Sequence, residues 1–422
     1  MNSIDIEKVL SHLYALRRDE IKLGLAHTFQ LLEVCGNPQK HFKAIHIAGT
    51  NGKGSTGKIL ASIFRQAGKS VGHYSSPHLI RFNERICINN GTITDAYILN
   101  FMSNFKSAIS EINATYFEVT TALAFCYFRD NYIELAIVET GLGGRLDSTN
   151  VLSPKIVAMT PISLDHREML GNSIEEIAEE KAGIIKPNVS VISSPQRKSV
   201  QSIIEHRSKA NDVKAQFIDE AQISGIHLKT DGTYFQYFGI EYFIPIVGEF
   251  QATNASLAIE VAKSFNPKMS KKTIQKGLAN SHWFGRLQKM SEKPTIYYDV
   301  SHNQEGIKKT ISSLRQLYSG NIMGIIALKG DKELDLICTE IKNKFDSLVA
   351  VSDINGLLLN QNVLTKRLRE YEINCASAPS FVNAIDQLKD KLLEEDSIGL
   401  IFGSHYIASE VFDYFEFSFD NI

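Results

Sequence analysis

The chain has 422 residues, too many for one compact core, and reads as two domains. Its 43% hydrophobic and 22% charged content is that of an ordinary globular protein, and a net charge of −2 gives no electrostatic reason to expect nucleic acid or an anionic membrane as partner. No apolar run approaches the roughly 20 residues of a membrane span. Cys35, Cys87, Cys126, Cys338 and Cys375 are scattered without a C-x-x-C, which argues against a zinc site or a disulfide framework and for a cytoplasmic setting.

The N-terminal MNSIDIEKVLSHLYALRRDE lacks a signal-peptide layout and reads as an amphipathic helix. KAIHIAG and SVGHYSS are short apolar strands flanking a helix from about Ser55 to Ala67. ELAIVET and KIVAMT are further buried strands, with helical TTALAFCYFRD before the first. That order predicts parallel pairing with crossover helices, an open α/β sheet whose ligands bind at the strands' carboxyl ends. Between Lys229 and Pro245 the pattern alternates, predicting an antiparallel hairpin on the sheet edge. Helical NASLAIEVAKSF follows, then the polar stretch MSEKPT, then a fresh α/β series through TIYYDV, NIMGIIALKG, DSLVAVSD and SIGLIFGS. The expected domains are 1–288 and 295–422, joined by a linker at 289–294.

Strand KAIHIAG runs into HIAGTNGKGST and then into helical KILASIFRQAG, the strand–glycine loop–helix order of a phosphate site. Gly49, Gly52 and Gly54 let backbone N–H groups turn inward, and the helix N-terminus adds partial positive charge. Lys53 is placed to meet outer phosphates, and Ser55 or Thr56 to cap the helix. The loop is not a Walker A sequence: Ile47 stands where that pattern needs glycine, and Gly54 separates Lys53 from Ser55. A glycine-rich turn with a solvated lysine is the plain alternative.

Glu139 ends ELAIVET just before GLGGRLDSTN, where Mg²⁺ and phosphate meet in such sheets. For an isolated glutamate, a capping or loop role is the commoner reading. Asp165-His166 follows KIVAMT in the same way, and a lone histidine is more often a hydrogen-bonded structural residue. In SIEEIAEEKAG, Ser173 and Glu176 form a capping box and Gly183 supplies the stop. Ile174, Ile177, Ala178 and Lys181 share one helical face while Glu175, Glu176, Glu179 and Glu180 cover the other. A lysine in the apolar stripe costs several kcal/mol unless it is paired or its pKa falls. Pairing with an inner carboxylate, conversion by CO₂ into a carbamate suited to Mg²⁺, and snorkelling past Gly183 all remain open.

Together these segments resemble the Mur ligase superfamily, and within it the folylpolyglutamate synthases, including the bifunctional dihydrofolate synthase/folylpolyglutamate synthases of bacteria. The resemblance spans nearly the whole chain: GTNGKGS, YSSPHLIRFNERI, TYFE, ETGLGGRLDSTN, SLDH, EKAGIIKP, the Asn254 helix, GRLQ, DVSHN and FGSHY. GKG[ST] is that family's own phosphate loop. The resemblance implies an N-terminal P-loop-type ATPase domain with a mainly parallel sheet and a smaller C-terminal Rossmann-like domain. It assigns Gly52, Lys53, Gly54 and Ser55 to the ATP phosphates, with Asn254, Arg286 and Asp299 as further ATP contacts. Two Mg²⁺ ions are implied, one on Ser76 and Glu139, the other on Glu139, His166 and a carbamylated Lys181. Lys53, Glu139, His166 and Lys181 form the implied catalytic set. Thr115, Tyr116, Phe117 and Glu118, with Arg145, Leu146 and Asp147, resemble the dihydropteroate site, and Leu23–Ala26 matches a pterin-binding stretch only in part.

The chain departs from the family at Ser301 and Gln304 in DVSHNQ, at Phe284 in WFGR, and at Ala26-His27 in LGLAH, which removes a charged pair from the pterin stretch. The implied reaction is ATP-dependent addition of L-glutamate to dihydropteroate and to reduced folates through an acyl phosphate, with no side-chain nucleophile. Arg145 in GGRLD favours the bifunctional enzyme over one that only polyglutamylates. A cell-wall Mur ligase predicts a UDP-binding domain ahead of the loop, where only 48 residues precede Gly49. A regulatory ATPase predicts hydrolysis indifferent to glutamate. A monomer is expected, and a monovalent cation activator is compatible with this chemistry.

Overall fold

The computed structural model describes residues 3–16, 24–330, 332–394 and 397–417. The N-terminal helix spans Ser3–Ala15. Eight strands follow: β1 (Lys43–Ala48), β2 (Val71–Tyr74), β3 (Ile86–Ile88), β4 (Gly91–Thr92), β5 (Leu135–Glu139), β6 (Ile156–Met159), β7 (Ser190–Ser193) and β8 (Ala215–Phe217). They form one sheet in the order β4-β3-β2-β5-β1-β6-β7-β8. All neighbours pair in parallel except β2–β3 and β3–β4, which close one edge as an antiparallel meander. Apart from exposed Lys43 at the start of β1, the central strands are buried throughout because helices cover both faces of a parallel sheet.

Side chains alternate across this sheet. Tyr74, Ala136 and Val138 join a core with Phe101, Tyr116 and Phe125. A second core gathers Val157, Met159, Ile177, Ala178 and Ile204. Ala48, Glu139 and Met159, the last residues of β1, β5 and β6, bring the three following loops to one end of the sheet, and with them the glycine loop, Glu139 and the segment leading to His166.

The chain divides into two units, 1–221 with 253–281, and 222–252 with 282–422. The second contains a three-stranded antiparallel sheet of β9 (Ile223–Lys229), β10 (Gly232–Tyr237) and β11 (Ile240–Ile244). The alternating segment expected on the edge of the large sheet is therefore a separate sheet. It stays with the second unit through the following turn, where the Glu249 N–H donates to Ser313 Oγ at 3.2 Å and Gln316 Nε2 donates to Glu249 Oε2 at 2.9 Å.

The second unit also holds a six-stranded sheet in the order β12-β13-β17-β14-β15-β16. Its strands are β12 (Gln288–Glu292), β13 (Thr295–Asp299), β14 (Asn321–Ile326), β15 (Ser347–Ala350), β16 (Cys375–Ser377) and β17 (Ser397–Phe402). All pairs but β12–β13 are parallel, around a core of Ile307, Leu314, Ile326, Leu348, Leu400 and Phe402. Residues 289–292 of the expected linker are strand residues, hydrogen-bonded to β13 in an edge hairpin. Polar composition marks an exposed edge strand as readily as a linker, so the stretch was ambiguous in sequence.

Candidate functional site

The glycine loop joins β1 to the helix Lys53–Gln66, which starts two residues before the expected Ser55. Gly52 is the helix N-cap with φ +92°, and Gly49 has φ +147°. A Cβ on Gly49 would lie 1.9 Å from Thr160 Oγ1, and one on Gly52 would lie 2.4 Å from Asn254 Oδ1. Both positions thus exclude any side chain by space as well as by backbone angle. Gly54, Ser55 and Thr56 are buried in the first turn; the Thr56 N–H donates to the Gly52 carbonyl at 2.9 Å, and the earlier N–H groups of the turn, with the helix dipole, are left at the N-terminus for an anion. Lys53 Nζ donates to the carbonyls of Gly49 at 2.9 Å and Thr50 at 3.3 Å. Asn254, in the helix Glu249–Phe265, is buried against this loop.

Glu139 is the last residue of β5 and only 2% exposed. Its Oε1 accepts no hydrogen bond among the described residues, and His73 Nε2 stands 3.5 Å away. His73 belongs to no motif, and its one signal in the sequence is a histidine inside the apolar run VGHY. Ser76 follows β2 and is half-buried. His166 has φ +51° at the start of the short helix Arg167–Leu170, and its Nε2 lies 3.9 Å from Asp165 Oδ2.

Lys181 is buried, 5% exposed, on the inner face of the helix Ile174–Ala182 with Ile177, Ala178 and Ala182. It neither waves in solvent past Gly183 nor forms an ion pair with a carboxylate among the described residues. Burial, then the positive charge of Lys53, pull its pKa down to about 7, against opposing pulls from Asp165 and Asp147. At neutral pH a large share of this amine is uncharged and nucleophilic.

The loop after Glu139 is built onto the end of that helix. The Arg145 N–H donates to the Glu180 carbonyl at 2.7 Å, and Asn150 Nδ2 donates to the carbonyls of Arg145 at 2.9 Å and Gly183 at 3.2 Å. A Cβ on Gly144 would sit 2.8 Å from the carbonyl oxygens of both Glu180 and Lys181. GLGG and EKAG are thus halves of one close contact that sets the position of Lys181. Asp147 shapes the same loop: Oδ2 accepts from the N–H groups of Gly141 and Leu142, each at 2.8 Å, and Oδ1 from the N–H and hydroxyl of Thr149. Burial raises the Asp147 pKa, against those hydrogen bonds.

The residues expected at a pterin site separate by environment. Thr115 and Glu118 are occupied with each other as the capping box of the helix Tyr116–Asp130, and Tyr116 is buried with its ring stacked on Tyr14. Phe117 is 42% exposed and borders Gly141. Arg145 is exposed and paired with Glu180 Oε1 at 2.7 Å, and Leu146 beside it is half-buried. Of the pterin stretch, Leu23 lies outside the described residues. Arg286 and Asp299 belong to the second unit. Asp299, at the end of β13, accepts from the N–H groups of Leu287 and Ser301, each at 2.8 Å, and from Thr310 Oγ1 at 3.0 Å.

No group of three His, Cys, Asp or Glu side chains suited to a metal occurs among the described residues. The expected ligands escape that pattern, since only Glu139 and His166 are of those types. A buried carboxylate oxygen without a hydrogen bond, close to the helix that follows the glycine loop, nevertheless fits a cation. No helix among the described residues is long and apolar enough to cross a membrane.

Comparison with known proteins agrees with this geometry. Residues 47–262 match the Mur ligase middle domain, and residues 285–405 the Mur ligase glutamate ligase domain. The chain is 34% identical to the folylpolyglutamate synthase of Lacticaseibacillus casei, over 76% of this chain and 79% of that one. It is also 34% identical to the dihydrofolate synthase/folylpolyglutamate synthase of Bacillus subtilis (strain 168), over 72% and 75% of the two chains. The solved Mycobacterium tuberculosis folylpolyglutamate synthase complexed with ADP superposes with a TM-score of 0.91 at 28% identity, covering 98% of both chains. This chain belongs to the Mur ligase family, in its dihydrofolate synthase/folylpolyglutamate synthase branch.

Proposed function

We propose that this chain is an ATP-dependent amide ligase that adds L-glutamate to 7,8-dihydropteroate and to the γ-carboxylate of reduced folates. The observation that carries the reading is the assembly at one end of the sheet: a glycine-cradled helix N-terminus, the buried strand-end Glu139, and Lys181 held inward by the GLGG–EKAG contact. The names of the relatives support the substrate class, and retention of Arg145 in GGRLD supports use of dihydropteroate as well as folates.

ATP lies with its phosphates on the N–H groups of the Gly52–Ser55 turn, with Lys53 released from the loop carbonyls onto the outer phosphates. A pterin carboxylate oxygen attacks the γ-phosphorus, the bond to the ADP oxygen breaks, and an acyl phosphate results. The amine of L-glutamate then attacks the acyl carbon, and phosphate leaves with formation of the amide and loss of a proton. Ser76 and Glu139 would hold one Mg²⁺, and Glu139, His166 and the Lys181 carbamate a second. Bound there, these ions supply neutralisation of the charge that gathers where two anions meet. The near-neutral Lys181 amine is in the form that CO₂ converts to a carbamate. The family resemblance assigns Arg286 and Asp299 to ATP binding as well.

The test is phosphate release with ATP, Mg²⁺ and L-glutamate, comparing dihydropteroate, tetrahydrofolate and no pterin. Release that requires both a pterin and glutamate is expected, with amide product for each pterin. Release without any pterin would point to a simple ATPase, and turnover of tetrahydrofolate alone to a polyglutamylating enzyme. Arg145→Ala should lower kcat/KM for dihydropteroate more than for tetrahydrofolate.

A further inference from the structure

We propose that His73 is a positioning residue for Glu139, fixing the direction in which the strand-end carboxylate faces a divalent ion. The inference rests on the ion-binding reading of Glu139 given above.

All four residues of β2 are buried, and His73 is 3% exposed. An imidazole in that position costs free energy unless its polar atoms are used. Alternation decides where it faces. Tyr74 belongs to the core with Tyr116 and Phe125, so His73 projects to the opposite face, toward the helix Lys53–Gln66. Ala136 and Val138 lie in that same core, which turns Glu139 to the face that His73 occupies. The two meet with His73 Nε2 3.5 Å from Glu139 Oε1.

The helix makes room for the pair. Gly57 lies in its second turn, and a Cβ there would stand 2.7 Å from His73 Nε2 and 3.5 Å from Glu139 Oε1. Gly57 is well inside the helix, where glycine costs about 1 kcal/mol relative to alanine. The space it leaves admits the imidazole. His73 as the Nε2–H tautomer aims a donor toward Oε1 and so sets the plane of the carboxylate, whose remaining lone pairs are then directed at a cation. Such outer contacts govern metal affinity as strongly as many ligands do.

Mn²⁺ binding to the ADP-bound protein, read by electron paramagnetic resonance, tests the inference without turnover. His73→Leu should weaken Mn²⁺ binding about 10–100-fold, with ADP binding in the absence of divalent ion unchanged. His73→Gln, which keeps a donor, should recover most of the loss. Gly57→Ala should reproduce the loss, and when combined with His73→Leu should add nothing further. Glu139→Gln separates the two levels of argument. If it loses Mn²⁺ while His73→Leu binds within about twofold of the parent, the His73 inference fails and the ion reading stands. If Glu139→Gln binds Mn²⁺ normally, both fall. Should His73→Leu not fold, Gly57→Ala with parental affinity overturns the inference equally.

Discussion

Gly183 and Arg145 touch so closely that a Cβ on the glycine would lie 2.4 Å from the arginine Cβ and 2.7 Å from its Cα. Gly183 has ordinary helical angles, φ −61° and ψ −8°, so its requirement is for space and not for an unusual backbone. Gly183→Ala should therefore push the GLGG loop away from the helix end and shift Lys181. A loss of about 1–3 kcal/mol in stability is expected from the overpacking, with a larger proportional fall in kcat. Thermal melting and steady-state kinetics check it, and near-parental turnover would show that the contact does not position the lysine.

Lys181 illustrates a cost retained for function. Its pKa is depressed from 10.5 to about 7, so between those values the unfolded chain binds a proton that the folded chain does not. Stability from this group is therefore present above pH 10.5 and is lost as pH falls toward 7. In bicarbonate-free buffer at pH 7, Lys181→Met should raise stability by up to roughly 4 kcal/mol while abolishing ligation. With ¹³C-bicarbonate, the parent should show a carbamate resonance that the variant lacks. Full activity in the variant would remove Lys181 from the site.

Gly52 combines a left-handed φ of +92° with a would-be Cβ 2.4 Å from Asn254 Oδ1. Gly52→Ala should weaken ATP binding at least about tenfold, from a strain of roughly 1–3 kcal/mol at the loop. Titration with a fluorescent ATP analogue measures this. Adding Asn254→Ala should remove the clash but also an expected ATP contact, so no recovery of binding is expected.

His46, wholly buried in β1, hydrogen-bonds Thr149 Oγ1 at 2.8 Å, and burial followed by the charge of Lys186 depress its pKa to about 3. The unfolded chain takes up this proton near pH 6.5, the folded chain only near pH 3. The stability it confers is complete above 6.5 and declines through that window at up to roughly 1.4 kcal/mol per pH unit. Replacing it by Gln should flatten the acid limb of a urea-denaturation series. An unchanged limb would place the acid sensitivity in other groups.

The linear sequence by itself determined the alternation of strands and helices, the glycine loop, the inward face of Lys181 and the family. Those features are local: a period of two or 3.6, a cap, a glycine before a helix, a motif in a fixed order. What only the tertiary structure decided is which residues meet across long chain separations. His73 approaches Glu139 because β2 pairs with β5 and Gly57 clears the space between them. GLGG locks onto EKAG because two loops converge at one end of the sheet. Thr115 and Glu118 are taken up in capping their own helix, leaving Phe117 as the exposed member of that motif. The segment 222–252 forms its own sheet in the second unit, and 288–292 is an edge strand. Strand pairing and packing set these relationships, and neither leaves a periodic mark on a single segment of chain.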